Sequence, residues 1–531
     1  MFRAAAAVAT CLALLAFGRS SSLALSTGLP DGRAYELVSR YTENGLEKGL
    51  DGELPNFALA ATSGDAVDWE GVGGCCGAGS GAVNLYRSRR TPEGWQTGAL
   101  TPAPPQPLSG FFAGQEPVFF TGDLSQTIFT TPAPYSEGVR RPAGSHANDL
   151  YLQGPDGRLT WLSQGGTGTG EGPYSAELDA ATPDASTVVF SSAEPLTGDA
   201  SGLKELNYPP QYLYLRDHLG DVYAEATTLV DVKEGQLISP YGGILGAGGW
   251  LKEELLPPDY QGTSTHALSE NGEKAFFESP PPRTELEGAG RPHLFMRDLE
   301  LEPPTVEQPR TVEIDDASSG GEARYEGAAA DGSLVFFTSN EELAGASSAN
   351  ELYEFNTTSR AIGPDQPMSV LAIGGDEGVT GVTAIADDGS AVYFVATAKL
   401  PAPGPLGAEA QAGQPNLYRY ETATGTTSFL ATLSWPDVNQ CEPDCGHGHP
   451  AGLVAEPDVD RPAYTTSQPS LPGHQPGGSV LAFTAYANLT GVQGQAAGAA
   501  AVLAAEAHTG EHTLAVSSTA GFAAGQHIAI G

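Results

Sequence analysis

Basic residues are scarce in this chain. Its 531 residues carry 25 Lys and Arg against 64 Asp and Glu, a formal net charge of −39. A surface that negative repels phosphate backbones and anionic lipid, which argues against nucleic acid as a partner. Charge of either sign is thin, at 17% of residues, while Gly (68) and Pro (41) are plentiful. That balance would suit disorder, but 40% of the chain is hydrophobic and falls in short, strand-length runs, which points to a turn-rich all-β protein. Beyond the N-terminus there is no uninterrupted apolar run of about 18 residues, so no later membrane span is expected. Familiar catalytic signatures are missing too. There is no H-E-x-x-H, no G-x-S-x-G elbow, no phosphate loop and no dinucleotide fingerprint. His508-Thr509-Gly510-Glu511-His512 spells H-x-x-E-H, but that zinc motif needs a helix, and Thr509-Gly510 falls where the chain's repeats make a hairpin turn.

What is present begins with an address. Arg3 precedes AAAAVATCLALLAFG, and Ser22-Leu23-Ala24 supplies the small residues of a cleavage site. Residues 1–24 read as a secretory signal peptide, so the mature chain is expected to be secreted, extracellular or on the cell surface.

A repeat follows. DGSLVFFTSNEELAG (331–345) returns as DASTVVFSSAEPLTG (184–198), DGSAVYFVATAKLPA (388–402) and GGSVLAFTAYANLTG (477–491). Turn markers stand at Asp65, Asp123, Asp184, Asn271, Asp331, Asp388 and Gly477. They lie roughly sixty residues apart, with longer gaps after Asp184 and Asp388. Downstream of each of the first six comes a dipeptide: Leu85-Tyr86, Leu150-Tyr151, Leu213-Tyr214, Leu294-Phe295, Leu352-Tyr353 and Leu417-Tyr418. Each unit holds about four strand-length runs. In 325–363 these are YEGAAA, SLVFFTS, ELYEFN and the RAIG region. One such sheet cannot bury both faces alone, whereas a radial array buries each against its neighbours. The expected fold is therefore an all-β propeller of about seven four-stranded blades over residues 29–517. The early strand GRAYELVS (32–39) is a candidate to complete the last blade. The seventh unit reads AVLAAEAHTG (501–510) where Leu-Tyr belongs. This keeps open an alternative of six blades plus a C-terminal β-module that starts in the tail, 518–531.

The pattern DG-S-x-V-x-F-x-S … N-x-L-Y resembles the TolB-type, WD-repeat-like propeller repeat. The opening LPDGRAYELVS resembles the start of secreted propellers of high-GC actinobacteria. The resemblance implies the fold and leaves function open, because propellers host many activities.

Function is expected in the loops. In a meander the turns after strands one and three share one face, and these read as tight: Asp331-Gly332, Asp388-Gly389, Thr424-Gly425. The connections after strands two and four share the other face and read as long, with insertions near 223–262 and 432–470 placed after fourth strands. Long loops on a rigid scaffold are where binding is usually built. Within the first insertion Tyr241, Trp250 and Tyr260 are candidates to stack on a sugar or peptide. The second carries CEPDCGHGHP. Cys441 and Cys445 are disulfide candidates in an oxidising compartment, together with the adjacent Cys75 and Cys76, and the pairing is open. Cys441, Cys445, His447 and His449 also form a weaker candidate zinc set. No cofactor is expected. The leading expectation is a monomeric, non-catalytic propeller that binds a protein or polysaccharide. The alternative is a glycan-active hydrolase or lyase with carboxylates in the central funnel.

Overall fold

The computed structural model describes residues 38, 58–72, 83–100, 116–132, 135, 148–164, 176–201, 203, 212–216, 219, 227–233, 235–246, 265–279, 293–299, 310–315, 323–339, 343, 351–357, 370–373, 379–404 and 408–435. Within them lie six four-stranded antiparallel sheets, each with its strands in chain order. Sheet one is Ala58–Ala60, Ala66–Val72, Val83–Thr91 and Gly94–Ala99. Sheet two is Glu116–Phe120, Thr127–Thr131, Asp149–Gln153 and Leu159–Trp161. Sheet three is Ala176–Ala181, Val188–Ser192, Tyr212–Arg216 and Thr227–Leu229. Sheet four is Ile244–Leu245, Lys274–Glu278, Leu294–Asp298 and Thr311–Glu313. Sheet five is Ala323–Ala328, Leu334–Ser339, Glu351–Asn356 and Val370–Ala372. Sheet six is Val379–Ile385, Ala391–Ala396, Asn416–Glu421 and Thr426–Thr432. The fold class is all-β and these meanders are propeller blades. The seventh repeat, the signal segment, GRAYELVS apart from residue 38, and the tail lie outside the described residues.

The chain divides into two compact units, Met1–Gln115 and Glu116–Gly531. The first contains sheet one, where Arg87 clamps the buried Asp68 across strands two and three with hydrogen bonds of 2.7 and 2.6 Å. The second contains sheets two to six.

The recurring Leu-Tyr has a packing cause. Every copy lies on strand three, and successive strand residues point to opposite faces. Leu213 joins a hydrophobic cluster with Phe276 and Phe277 of the following sheet. Tyr214 joins one with Leu150 and Leu152 of the preceding sheet. Likewise Leu352 shares a cluster with Phe394 of sheet six, while Tyr353 shares one with Phe276 of sheet four, whose ring lies 6.1 Å from that of Tyr325 in sheet five. Sheets three and five are thus walls between two cores. In sheets two, three and six the second strand is buried at every position, which is why its hydrophobic alternation is imperfect.

On the aromatic side the register repeats without exception. Trp69 pairs Tyr86, Phe129 pairs Tyr151, Phe190 pairs Tyr214, Phe277 pairs Phe295, Phe337 pairs Tyr353 and Phe394 pairs Tyr418. Ring centroids are 4.8–5.8 Å apart, a separation that favours offset stacking. The tyrosine hydroxyl then ties down the loop after strand two. Tyr214 Oη donates to Glu194 O at 2.6 Å and accepts from Leu196 N at 2.9 Å. Tyr418 Oη does the same with Ala398 O and Leu400 N.

The turn markers close strands one and two. Asp or Asn Oδ1 accepts the backbone N–H two residues on, at 2.8–3.2 Å, for Asp123, Asp184, Asn271, Asp331 and Asp388. The residue after the marker adopts positive φ. It is Gly272, Gly332 or Gly389 in three of these turns, and Leu124 or Ala185 in the others. Successive turns are stitched together. Gln126 Nε2 donates to Asp184 O, Glu270 N to Ala330 O, and Ala330 N to Asp387 O. Sheets two and three are therefore joined side chain to backbone at these turns, and sheets four, five and six backbone to backbone.

A Cβ on Gly389 would sit 2.9 Å from Ala329 Cβ of the preceding sheet at φ +69°, whereas one on Gly425 (φ +62°) meets nothing within 4 Å. Gly389→Ala should therefore cost about 2–4 kcal/mol and Gly425→Ala only about 1–2 kcal/mol, because only the first adds a clash to left-handed strain. Urea denaturation of the two variants checks this, and equal losses would mean the turn does not touch its neighbour.

Towards strand four the sheets need filler. A hairpin, Val232–Lys233 with Gln236–Leu237, follows sheet three. Its Val232 O accepts from Arg297 and from Thr311 Oγ1 of sheet four. In the second unit, direct contact at the strand one–two turns and a wedge near strand four make strand one the inner edge of the blades.

Three expectations need correction. The first insertion does not sit wholly between blades. Ile244–Leu245 already pairs with strand two of sheet four, and Leu268 pairs with Ala275 further along that strand. Residues 247–264 therefore interrupt strand one itself, a position invisible to hydrophobic pattern because two residues are too short a run. The fourth strand of sheet five is Val370–Ala372, paired with Tyr353–Phe355, rather than the RAIG region. The apolar echo in VLAI lies further along a longer connection. Finally, the connections after strand three are tight only in sheets one, two and six. Residues 217–226, 299–310 and 357–369 separate strands three and four elsewhere, so only the strand one–two turns are uniformly short.

Candidate functional site

Strand three begins, and strand four ends, on the face that receives the connections after strands two and four. In sheet four this place holds a cluster. His293 immediately precedes strand three, Glu313 closes strand four and Asp315 follows it. His293 Nδ1 lies 3.0 Å from Asp315 Oδ2 and 3.6 Å from Glu313 Oε1. Asp315 is fully buried and its Oδ1 accepts Leu294 N at 3.2 Å. Lys233 Nζ, from the filler hairpin, holds Glu313 Oε2 at 2.7 Å. Desolvation raises the Asp315 carboxyl above its ordinary range, and the hydrogen bond from His293 and its charge oppose that rise. Ser279 Oγ accepts His293 N at 3.0 Å, which fixes the backbone that carries the imidazole.

The register shows how these positions arise. Phe295 pairs Glu313 as Tyr151 pairs Trp161. His293, Glu313 and Asp315 therefore correspond to Asp149, Trp161 and Ser163 of sheet two. There the trio is a closed clasp. Trp161 Nε1 donates to Asp149 Oδ1 and Ser163 Oγ, and Ser163 Oγ donates to Asp149 Oδ1 at 2.9 Å. Sheet four replaces it with an imidazole and two carboxylates.

A second group lies on the inner edge. The pairing of strands one and two slips at a bulge in sheets two, three, five and six. The extra residues three before the turn are Val118, Asp179, Glu326 and Thr383, and sheet six slips a second time at Thr380. Bulges re-aim a side chain, and they are common beside active sites. Asp179 and Glu326 are half-buried. Desolvation pushes Asp179 up to about 8, with Glu177 adding repulsion and Ser191 only partly offsetting it. Desolvation pushes Glu326 to about 7 against a 2.8 Å hydrogen bond from Thr338 Oγ1. Carboxyls that hold a proton near neutral pH are suited to general acid work.

Of the residues singled out from sequence, Tyr241 is half-buried in the turn that leads into sheet four, with its N–H on Ser239 Oγ at 3.1 Å. It sits on the connection after a fourth strand, on the same face as the His293 cluster. Trp250, Tyr260, Cys75, Cys76, Cys441, Cys445, His447, His449 and the 508–512 motif lie outside the described residues. The His293 cluster escaped sequence reading because its members stand apart in the chain and meet only through strand register. Aligning the residue before each Leu-Tyr would have shown a histidine where other repeats have Asn84, Asp149, Tyr212, Glu351 and Asn416. Among the described residues no helix is long and apolar enough to cross a membrane.

No protein-family model matches the sequence, and no curated protein matches it. Solved structures similar to the chain include an oligogalacturonate lyase in complex with manganese, at 12% identity and TM-score 0.32, covering 71% of this chain and 77% of that one. TolB from Acinetobacter baumannii matches at 12% identity and TM-score 0.25, over 71% and 68% of the two chains. A prolyl endopeptidase matches at 12% identity and TM-score 0.31, over 71% of this chain and 49% of its own. At this distance none of them speaks for what this chain binds or does.

Proposed function

We propose that the protein is a secreted or cell-surface, non-catalytic propeller that binds a protein or polysaccharide through the face carrying the connections after strands two and four. The observation that supports this reading is the asymmetry of the blades. The strand one–two turns are short, and in the second unit those of sheets two and three and of sheets four, five and six are hydrogen-bonded to one another, while the connections after strand two run long in sheets two to six. A rigid end opposite a long-looped end is how binding surfaces are commonly carried. The reading includes a monomer without a cofactor and, given the net charge of −39, without nucleic acid. Screening the mature chain on a glycan array beside hydrolysis and lyase assays on the same glycans tests it. Binding without turnover is expected.

A second reading, a glycan-active hydrolase or lyase, is favoured by one observation: the proton-holding Asp179 and Glu326 on inner strands. Turnover that disappears in Asp179→Asn or Glu326→Gln would replace the first reading with the second.

A further inference from the structure

We propose that His293, Glu313 and Asp315 form a binding site for a divalent transition cation of the zinc class. The inference is independent of whether the long-loop face binds a macromolecule.

The geometry suits an ion. The three side chains offer one ligand atom each, and these atoms all lie within 4.8 Å of one another. Donors about 2.0–2.2 Å from a zinc ion stand roughly 3–3.6 Å apart in tetrahedral or octahedral arrangements. The imidazole-to-carboxylate separations here are 3.0 and 3.6 Å. An ion can therefore be seated with small side-chain adjustments.

The supporting shell suits it too. Metal-binding carboxylates are usually oriented by hydrogen bonds to their other oxygen. Glu313 Oε2 is held by Lys233, and Asp315 Oδ1 by Leu294 N. Each carboxylate then turns its remaining oxygen towards His293 Nδ1. Two carboxylates less one lysine leave a net negative charge for the cation to neutralise. One imidazole with two carboxylates selects zinc-like ions over magnesium and calcium, which prefer all-oxygen shells.

The fold does not need these residues for closure. Sheet two closes the same three positions with a tryptophan, a serine and a single carboxylate. Sheet six closes its strand ends with Thr432 Oγ1 donating to Asn416 Oδ1 at 2.8 Å. Three ionisable donors at one blade end exceed what a clasp requires.

The test is equilibrium dialysis of the EDTA-stripped full chain against zinc chloride, with bound zinc counted by mass spectrometry. Cobalt(II) absorption is recorded in parallel. One zinc per chain is expected, with cobalt bands of nitrogen and oxygen ligation and no sulfur charge-transfer band. His293→Gln and Glu313→Gln are half-buried positions chosen so that the fold survives, which circular dichroism in EDTA verifies. Each should weaken zinc binding at least about tenfold. A variant with Cys441 and Cys445 changed to Ser and His447 and His449 to Gln should bind as before. No bound zinc, zinc retained unchanged in both His293→Gln and Glu313→Gln, or a sulfur band lost with the cysteine variant would overturn the assignment.

Discussion

Stability should fall as pH rises from about 5 to about 8. Desolvation raises Asp179 to about 8, Asp231 to about 7 and Glu326 to about 7. Fully buried Glu278 is raised well above its ordinary value for the same reason. In the unfolded chain these groups titrate near 3.8 for aspartate and 4.5 for glutamate. Between those values and the folded ones, the unfolded state has released protons that the folded state still holds. Raising pH therefore favours unfolding, by up to about 1.4 kcal/mol per pH unit for each such group. Solvent near half-buried Asp179 and Glu326 reduces this, and a net loss on the order of 2–4 kcal/mol across the window is expected.

Below about pH 4 the trend reverses. Burial would raise Asp123, Asp184 and Asp331, but the N–H and hydroxyl groups of their turns win and hold them low. Their contribution is full above the unfolded value and is lost as pH drops through the folded one. Urea titrations at about pH 3, 5, 6.5 and 8 should place the maximum near 5. Asp179→Asn and Glu326→Gln should each gain stability at pH 8 and flatten the slope. A profile that is level or rising from 5 to 8 contradicts the assignment of these carboxyls as protonated in the fold.

Phe337→Ala should cost about 3–5 kcal/mol, and the loss should be felt beyond its own sheet. Phe337 is fully buried and stacks on Tyr353 at 5.4 Å. It belongs to a cluster that also contains Phe276, Phe277 and Phe295 of sheet four and Val189 and Leu213 of sheet three. A cavity there removes dispersion contacts from a cluster to which three sheets contribute. Denaturation followed by circular dichroism and by tryptophan fluorescence should shift together. A loss below about 1 kcal/mol, or a transition that splits so that sheet five melts first, would mean the sheets are stable individually.

The sequence made the blade legible because its two strongest signals have simple physical causes. Asp-Gly marks a turn that needs positive φ and an acceptor for the N–H two residues on. Leu-Tyr marks the third strand, whose two faces serve two different cores in sheets three and five. Sheet order followed from these. The strand one bulges were not legible, since Val118, Asp179, Glu326 and Thr383 share no chemistry and are related only by pairing. Nor was the interruption of Ile244–Leu245 by residues 247–264, because the second half of that strand is recognisable only by its partner Ala275. Tyr241 was singled out because aromatic residues in a glycine-rich loop stand out. His293, Glu313 and Asp315 were not, since histidine and carboxylates are unremarkable until register brings them together.

The dependence of each sheet on its neighbours can be measured by native-state hydrogen exchange. The second strands Val188–Ser192, Lys274–Glu278, Leu334–Ser339 and Ala391–Ala396 are the inner walls of shared cores. If the blades stand only by packing on one another, the amides of these four strands should open with one common free energy, equal to that of global unfolding. Four distinct free energies, each sheet opening alone while its neighbours stay protected, would contradict the account.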